Sequence, residues 1–285
     1  MRRAVAAAIA LLAFPANAAV PLPHFGCPVV EPRCPARYAG QRVARCETRN
    51  LIVNGQYFAK TTMTLNTAPG GFSDEPDRKA EQSIAFIQIV PARTAGTRAF
   101  NTAMRTRSDA LARGEFEDKA GVANDPKLIA GLDLKIDASL VAVSRELIDI
   151  EFGVSTYSAG MAHPNWNSAG SAWSLPLARE IVAADLFRFD RRWATELATL
   201  AQGRIVPKVD GVRASELAPI GNIADPRQWR IEPTGLRLIF DPYRLGGYLS
   251  SAVAELPWSV LRPYLVQALP FDPAELRSIG PDASC

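Results

Sequence analysis

In the stretch ELIDIEFGVSTY, residues 146 to 157, Ile148, Ile150, Phe152 and Val154 alternate with Asp149, Glu151, Gly153 and Ser155. A period of two predicts a half-buried strand, with one face on a core and one on water. GLRLIFDPY repeats the pattern, with Leu236, Leu238 and Phe240 on one side. SIAFIQIV (83 to 90), GSAWSLPLAR (170 to 179) and YLSSAVAELPW (248 to 258) are further strand candidates. Asn54-Gly55 lies between two β-compatible runs, a hairpin signal. Phe100, Ala103, Met104 and Leu111 recur at helical spacing and predict an amphipathic helix over about 97–113. Asp185 is placed to cap a helical turn before Leu186 and Phe187. A helix carrying Trp193, Leu197 and Leu200 ends near Gly203, and WSVLRPYL forms a short helix broken by Pro263. Residues 114–135 and 204–226 read as polar or loop-like. Strands outnumber helices and often follow one another directly. That pattern implies an α+β fold, an antiparallel sheet with a few helices packed on one face.

The N-terminus changes the picture of where such a domain works. Arg2 and Arg3 precede an apolar run from Ala4 to Phe14, and Ala16-Asn17-Ala18 fits a small-residue cleavage pattern. Residues 1–18 therefore read as a secretory signal peptide. The run is shorter than the roughly 20 residues that cross a bilayer, and no later segment supplies a membrane span. The expected location is periplasmic or secreted. The remaining chain divides into a cysteine-bearing arm (19–47), an N-terminal α+β part (48–135), a C-terminal α+β domain (136–270) and a tail (271–285).

Cys27, Cys34, Cys46 and Cys285 all lie beyond the signal peptide, and in an oxidising compartment an even set predicts disulfides. Three connectivities are open. Six residues separate Cys27 from Cys34, too many for a zinc knuckle, so no metal and no cofactor is implied. Without Arg2 and Arg3 the chain carries 30 basic and 29 acidic residues. That balance, with no long charge run, argues against nucleic acid as a partner.

Candidate chemistry centres on YSAGMAHPNW, residues 157 to 166. His163 is one of 2 histidines in the chain. No G-x-S-x-G elbow and no H-E-x-x-H accompanies it, and nothing singles out a carboxylate pair for glycoside cleavage. Small residues, Pro164 and Asn165 after a strand suggest a turn shaped by Gly160 and by hydrogen bonds from His163. The alternative is a ligand-contacting loop that uses Tyr157, His163, Asn165 and Trp166, with Tyr243 from the later strand. No catalytic residue is assigned.

Two stretches carry a resemblance: YSAGMAHPNWNSAGSAWSL with the following DLF, and GLRLIFDPYRLGGYLSSAVAELPWSVLRPYL. Together they resemble a bacterial extracytoplasmic domain family of largely unknown function. That family occurs in the ectodomain of the lysozyme-sensing anti-sigma factor RsiV and beside peptidoglycan deacetylase modules. Tyr157, Gly160, Ala162, His163, Asp185, Leu186, Phe187, Gly235, Leu236, Phe240, Pro242 and Tyr243 sit on its pattern, whereas Ala159 and Met161 depart from it. IQIVPARTAGTRAFNTAMRTR, upstream, is similar to the family's N-terminal part. The resemblance implies an exported envelope protein that binds a lysozyme-like enzyme or peptidoglycan without intrinsic catalysis. The competing expectation is a cell-wall-modifying enzyme that uses the His163 loop.

Overall fold

A computed structural model describes residues 34–38, 41–66, 79–118, 132–158, 163–189, 192–207, 219–220, 223–240 and 252–279. Residues 1–18, Cys27, Gly160, Tyr243 and Cys285 lie outside this set. Strands are numbered here in chain order. The larger sheet contains β1 (Arg37–Tyr38), β2 (Gln41–Val53), β3 (Gln56–Asn66), β4 (Gln82–Ile89), β5 (Leu132–Val143), β6 (Leu147–Ser158), β7 (Asn165–Ser174) and β8 (Arg179–Glu180), in that spatial order. β13 (Arg277–Ser278) adds to the far end of β5. A second sheet has the order β10-β11-β12-β9, from β9 (Ile205–Pro207), β10 (Trp229–Glu232), β11 (Gly235–Phe240) and β12 (Ala252–Pro257). All neighbours are antiparallel except β4 and β5, which the helix α1 (Ala95–Asp118) connects in parallel. The fold is α+β, and the expected sheet is joined by a second, smaller one.

Local chemistry explains the main elements. Asn54 and Gly55 both have positive φ, 50° and 73°, and turn β2 into β3 with Val53 opposite Gln56. A two-residue turn of this kind matches the twist of the strands it joins. At the start of α1 the Thr94 hydroxyl accepts from the Thr97 amide and the Thr97 hydroxyl accepts from the Thr94 amide, a reciprocal cap. Phe100, Met104, Ser108 and Ala112 form the buried stripe of that helix, one residue per turn. The Ser108 hydroxyl donates to the Ala85 carbonyl, and the Asn101 side-chain amide both accepts from and donates to the backbone of Ile89. These bonds fasten α1 to β4.

β5 runs without interruption through residues 135 and 136. Its even positions, Leu132, Leu134, Ile136, Ala138 and Leu140, are buried on the face covered by α1, as are Ile148, Ile150, Phe152 and Val154 of β6. β5 is a strand within a stretch whose first part reads as mixed and polar, because Asp133, Lys135 and Asp137 occupy its other face. β2 begins at Gln41, so the last seven residues of the cysteine-bearing arm, 41–47, are strand. Cys34 and Cys46 form a disulfide across it, with Cα atoms 6.2 Å apart. No helix among the described residues is long and apolar enough to cross a membrane.

The second sheet builds its own core with α2 (Ala183–Leu186), α3 (Trp193–Gln202) and α4 (Trp258–Leu261). Phe187 stacks on Trp193 at 4.2 Å, and both meet Trp229 edge-on. Leu147, Ala142 and Ala172 of the larger sheet belong to the same cluster. The small sheet is thus seated on part of the larger one, on the face opposite α1.

Candidate binding site on the uncovered sheet face

The odd-numbered face of β6 decides where a site can be. Its polar residues imply a water-facing surface, and for Asp149 the structure corrects that expectation. Asp149 has no exposure at all. β10 is the edge strand of the second sheet and lies across β5, β6 and β7. An edge strand presents backbone groups that no neighbouring strand takes. Asp149 Oδ2 accepts the amide of Ile231, one such group. Burial raises the Asp149 pKa to about 7, and the Arg230 guanidinium and the Ile231 amide moderate that rise.

Arg230 is the second ionisable residue buried in this contact. Its side chain has no exposure and its Nη1 donates to the carbonyls of Arg227 and Trp229 at 3.0 and 2.9 Å. Nη2 donates to the Ser168 hydroxyl at 3.2 Å, and Nε lies 3.2 Å from the Glu151 carboxylate. Glu232, two residues on in β10, pairs with Arg237 at 2.7 Å, while its burial raises its pKa. Sealed inside the sheet-to-sheet contact, Asp149 and Arg230 meet no substrate, so they are structural connectors. The sequence pattern does not single them out. Arg230 and Glu232 alternate with Trp229 and Ile231, so the sequence reads Arg230 as water-facing.

Gly170 makes the close approach possible. A Cβ there would overlap the Trp229 carbonyl oxygen and crowd the Arg230 guanidinium. Gly170→Ala is expected to destabilise the protein by about 1–3 kcal/mol or more, because the obstacle is backbone and cannot change rotamer. Urea denaturation of the variant beside the wild type measures this, and an unchanged midpoint would contradict the packing described.

Farther along this face Lys135 and Trp166 are exposed and Ser155 and Tyr157 are half-buried. Tyr157 pairs with Asp133 on β5, and Ser155 pairs with Lys135 on one side and Trp166 on the other. These residues share one face. A groove of about 510 Å³ lies there, lined by Glu81, Asp133, Leu134, Lys135, Ser155, Tyr157 and Pro164. Asp133 Oδ1 accepts the Glu81 amide at 2.7 Å, which fixes that wall. Trp166 is 59% exposed, a large apolar ring on a polar surface.

The structure brings some of the expected site residues together. Tyr157 and Pro164 line the groove, and His163 directly precedes Pro164 in the chain. The return strand begins at Asn165, earlier than the expected 170, so Asn165 and Trp166 are strand residues. Asn165 pairs with Thr156, on the opposite face from Tyr157 and Trp166, so it does not join the groove face. His163 is half-buried, and its Nδ1 is 3.1 Å from the Pro164 carbonyl, a bond that requires the proton on that nitrogen.

Other residues of the family-like pattern serve the fold. Asp185 accepts from the Val182 amide and holds Arg179 through two bonds of 2.7 Å. Those charge-assisted bonds keep its carboxyl below the usual carboxylate range. Leu186, Phe187, Leu236 and Phe240 are core residues. Gly235 has φ of +155° in the β10–β11 turn, a conformation that side chains with a Cβ resist.

The chain matches no protein-family model and no curated protein. Among solved structures it is similar to a member of the DUF3298 family from Bacteroides fragilis. That likeness has a TM-score of 0.52 and 12% identity and covers 80% of this chain and 96% of that one. A DUF3298 family protein from Pseudomonas aeruginosa is similar at a TM-score of 0.40 and 12% identity, over 78% of this chain and 94% of that one. The first likeness shows a shared fold. The second is too loose to add to it.

Proposed function

We propose, from a fold shared with a DUF3298 protein and the open face beside β6, that this chain is an exported envelope-binding protein without catalysis of its own. Its ligand in this reading is peptidoglycan, held at the groove from Tyr157 to Pro164 and stacked on Trp166. The observation that carries the reading is the exposed Trp166 on the same face as Ser155 and Tyr157. The C–H face of a sugar ring covers such an indole, while its hydroxyls meet the carboxylates, lysine and hydroxyls beside it. Tryptophans at the centre of a contact also supply much of its binding energy. Export fits the apolar N-terminal run and the Cys34–Cys46 disulfide. In this reading Cys27 and Cys285 are the cysteines left to pair with each other.

A second reading has a lysozyme-like enzyme as the partner, as the resemblance to the anti-sigma factor ectodomain implies. Glu81 and Asp133 in the groove favour it, since such enzymes are commonly basic and a binder presents acidic groups to them. Co-sedimentation with purified peptidoglycan and capture of a basic lysozyme separate the two. In the first reading Trp166→Ala reduces sedimentation at least tenfold with an unchanged melting temperature. His163→Ala lowers stability by at most about 0.5–1.5 kcal/mol through the lost bond to the exposed Pro164 carbonyl and retains binding where it is folded. Release of muropeptides or of acetate in the same incubation would instead establish an enzyme acting through the His163 loop.

A further inference from the structure

A second cavity, of about 610 Å³, lies near the opposite end of β6 from the Tyr157 groove. The 12 residues of that strand separate the two sites by roughly 35 Å. Leu265, Val266, Leu269 and Phe271 supply the apolar part of its lining, and Glu146, Arg262, Gln267 and Asp272 the polar part. The backbone around it is pinned. The Val266 amide donates to the Leu186 carbonyl, and the Glu146 amide donates to the Ser144 hydroxyl. Phe271 is buried against Trp258. The shape is therefore held independently of any ligand.

The side chains of Glu146 and Arg262 are the unusual feature. They carry opposite charges into one cavity, yet among the described residues neither makes an ion pair or hydrogen bond with the other or with any other group. The other carboxylate on the wall, Asp272, is already engaged by the Ala274 amide. Side chains long enough to meet in water usually gain little by pairing, so their separation is no cost to the fold. It leaves one anionic and one cationic anchor beside apolar lining residues in a space of ligand size.

We propose that this cavity binds a small zwitterion with an apolar side chain, a free amino acid or the terminus-bearing end of a short peptide. The Glu146 carboxylate receives the α-ammonium group, the Arg262 guanidinium holds the α-carboxylate through its two parallel donors, and the side chain covers Leu265, Val266, Leu269 and Phe271. The site takes its specificity from the two charged ends, because apolar contacts alone do not distinguish one aliphatic side chain from another by more than a small factor.

The test uses the full chain and isothermal titration calorimetry with free leucine and the dipeptide Leu-Leu. Each is compared with its amino-acetylated and carboxy-amidated forms. At least one free zwitterion is expected to bind, and blocking either end is expected to weaken it at least tenfold. Glu146→Gln and Arg262→Gln should each weaken binding at least tenfold while melting within about 1 °C of the wild type, since neither side chain holds the fold. Trp166→Ala should bind the zwitterion as the wild type does, which separates this site from the peptidoglycan groove. No binding of either free probe at millimolar concentration, equal binding of the capped forms, or unchanged affinity in both charge variants would overturn the proposal.

Discussion

Replacing Arg230 by alanine is expected to remove about 3–5 kcal/mol of stability, a large part of what an ordinary domain possesses. The loss comes less from missing attractions than from what stays behind. Glu151, half-covered by β10, keeps its charge without a partner, and the carbonyls of Arg227 and Trp229 lose their donors inside the contact. Arg230→Met separates the two effects, because it fills the volume without restoring a donor. It should recover part of the loss, and Arg230→Met combined with Glu151→Leu should recover more, since a buried pair replaced by apolar groups is often tolerated. Guanidinium unfolding of the three variants gives the comparison. A loss below about 1 kcal/mol for Arg230→Ala would show that the guanidinium is not a connector between the sheets.

The second large effect is a pH dependence carried by Asp149. Its pKa is raised to about 7 in the fold, while an unfolded carboxyl titrates near about 4. Between those values the folded protein keeps the proton and the unfolded chain has released it. The stability from this group is complete below about pH 4, declines as pH rises to about 7, and is flat above, with a slope of about 1.4 kcal/mol per pH unit inside the window. Asp149→Asn keeps an oxygen for the Ile231 amide and cannot ionise. The variant should match the wild type near pH 4 and exceed it at pH 8, by a gap that opens between those limits. Other carboxylates, such as Asp185 with its lowered pKa, act in the opposite sense, so the quantity to plot is the difference between variant and wild type. Stability curves that run parallel from pH 4 to pH 8 would show that Asp149 is ionised throughout.

Much of the architecture is legible in the order of the residues. The alternation in β6 and β11, the apolar run of β4, the Asn54-Gly55 turn and the Phe100–Met104 stripe each depend on neighbours a few residues away, so a local pattern reports them faithfully. β10 leaves a weaker trace, because four residues are too few to establish a period. Trp229-Arg230-Ile231-Glu232 alternates apolar and charged residues and so reads as a strand with one wet face, yet Arg230 is buried with its neighbours. Of the proposed site, Tyr157, His163 and Trp166 stand out because they cluster at the end of a strong strand. The groove that Tyr157 lines also needs Glu81 and Asp133, which are 52 residues apart and are joined by a hydrogen bond beside the β4–β5 pairing.

Taken alone, the chain determined which residues form most of the strands, which side of each is apolar, and where the turns fall, because steric preference and hydrophobic period act over single turns and pairs of residues. It did not determine which polar face stays wet. Asp149 and Ser155 lie three positions apart on the same side of β6 when alternate residues are counted. One is sealed beneath an edge strand whose Ile231 is 82 residues away, and the other lines an open groove. That difference was decided by where the second sheet comes to rest. Its position follows from burying the Phe187, Trp193 and Trp229 cluster against Leu147 and Ala172, and from the space left by the missing side chain of Gly170. Burial on that scale is a property of the assembled layers, and no window of neighbouring residues contains it.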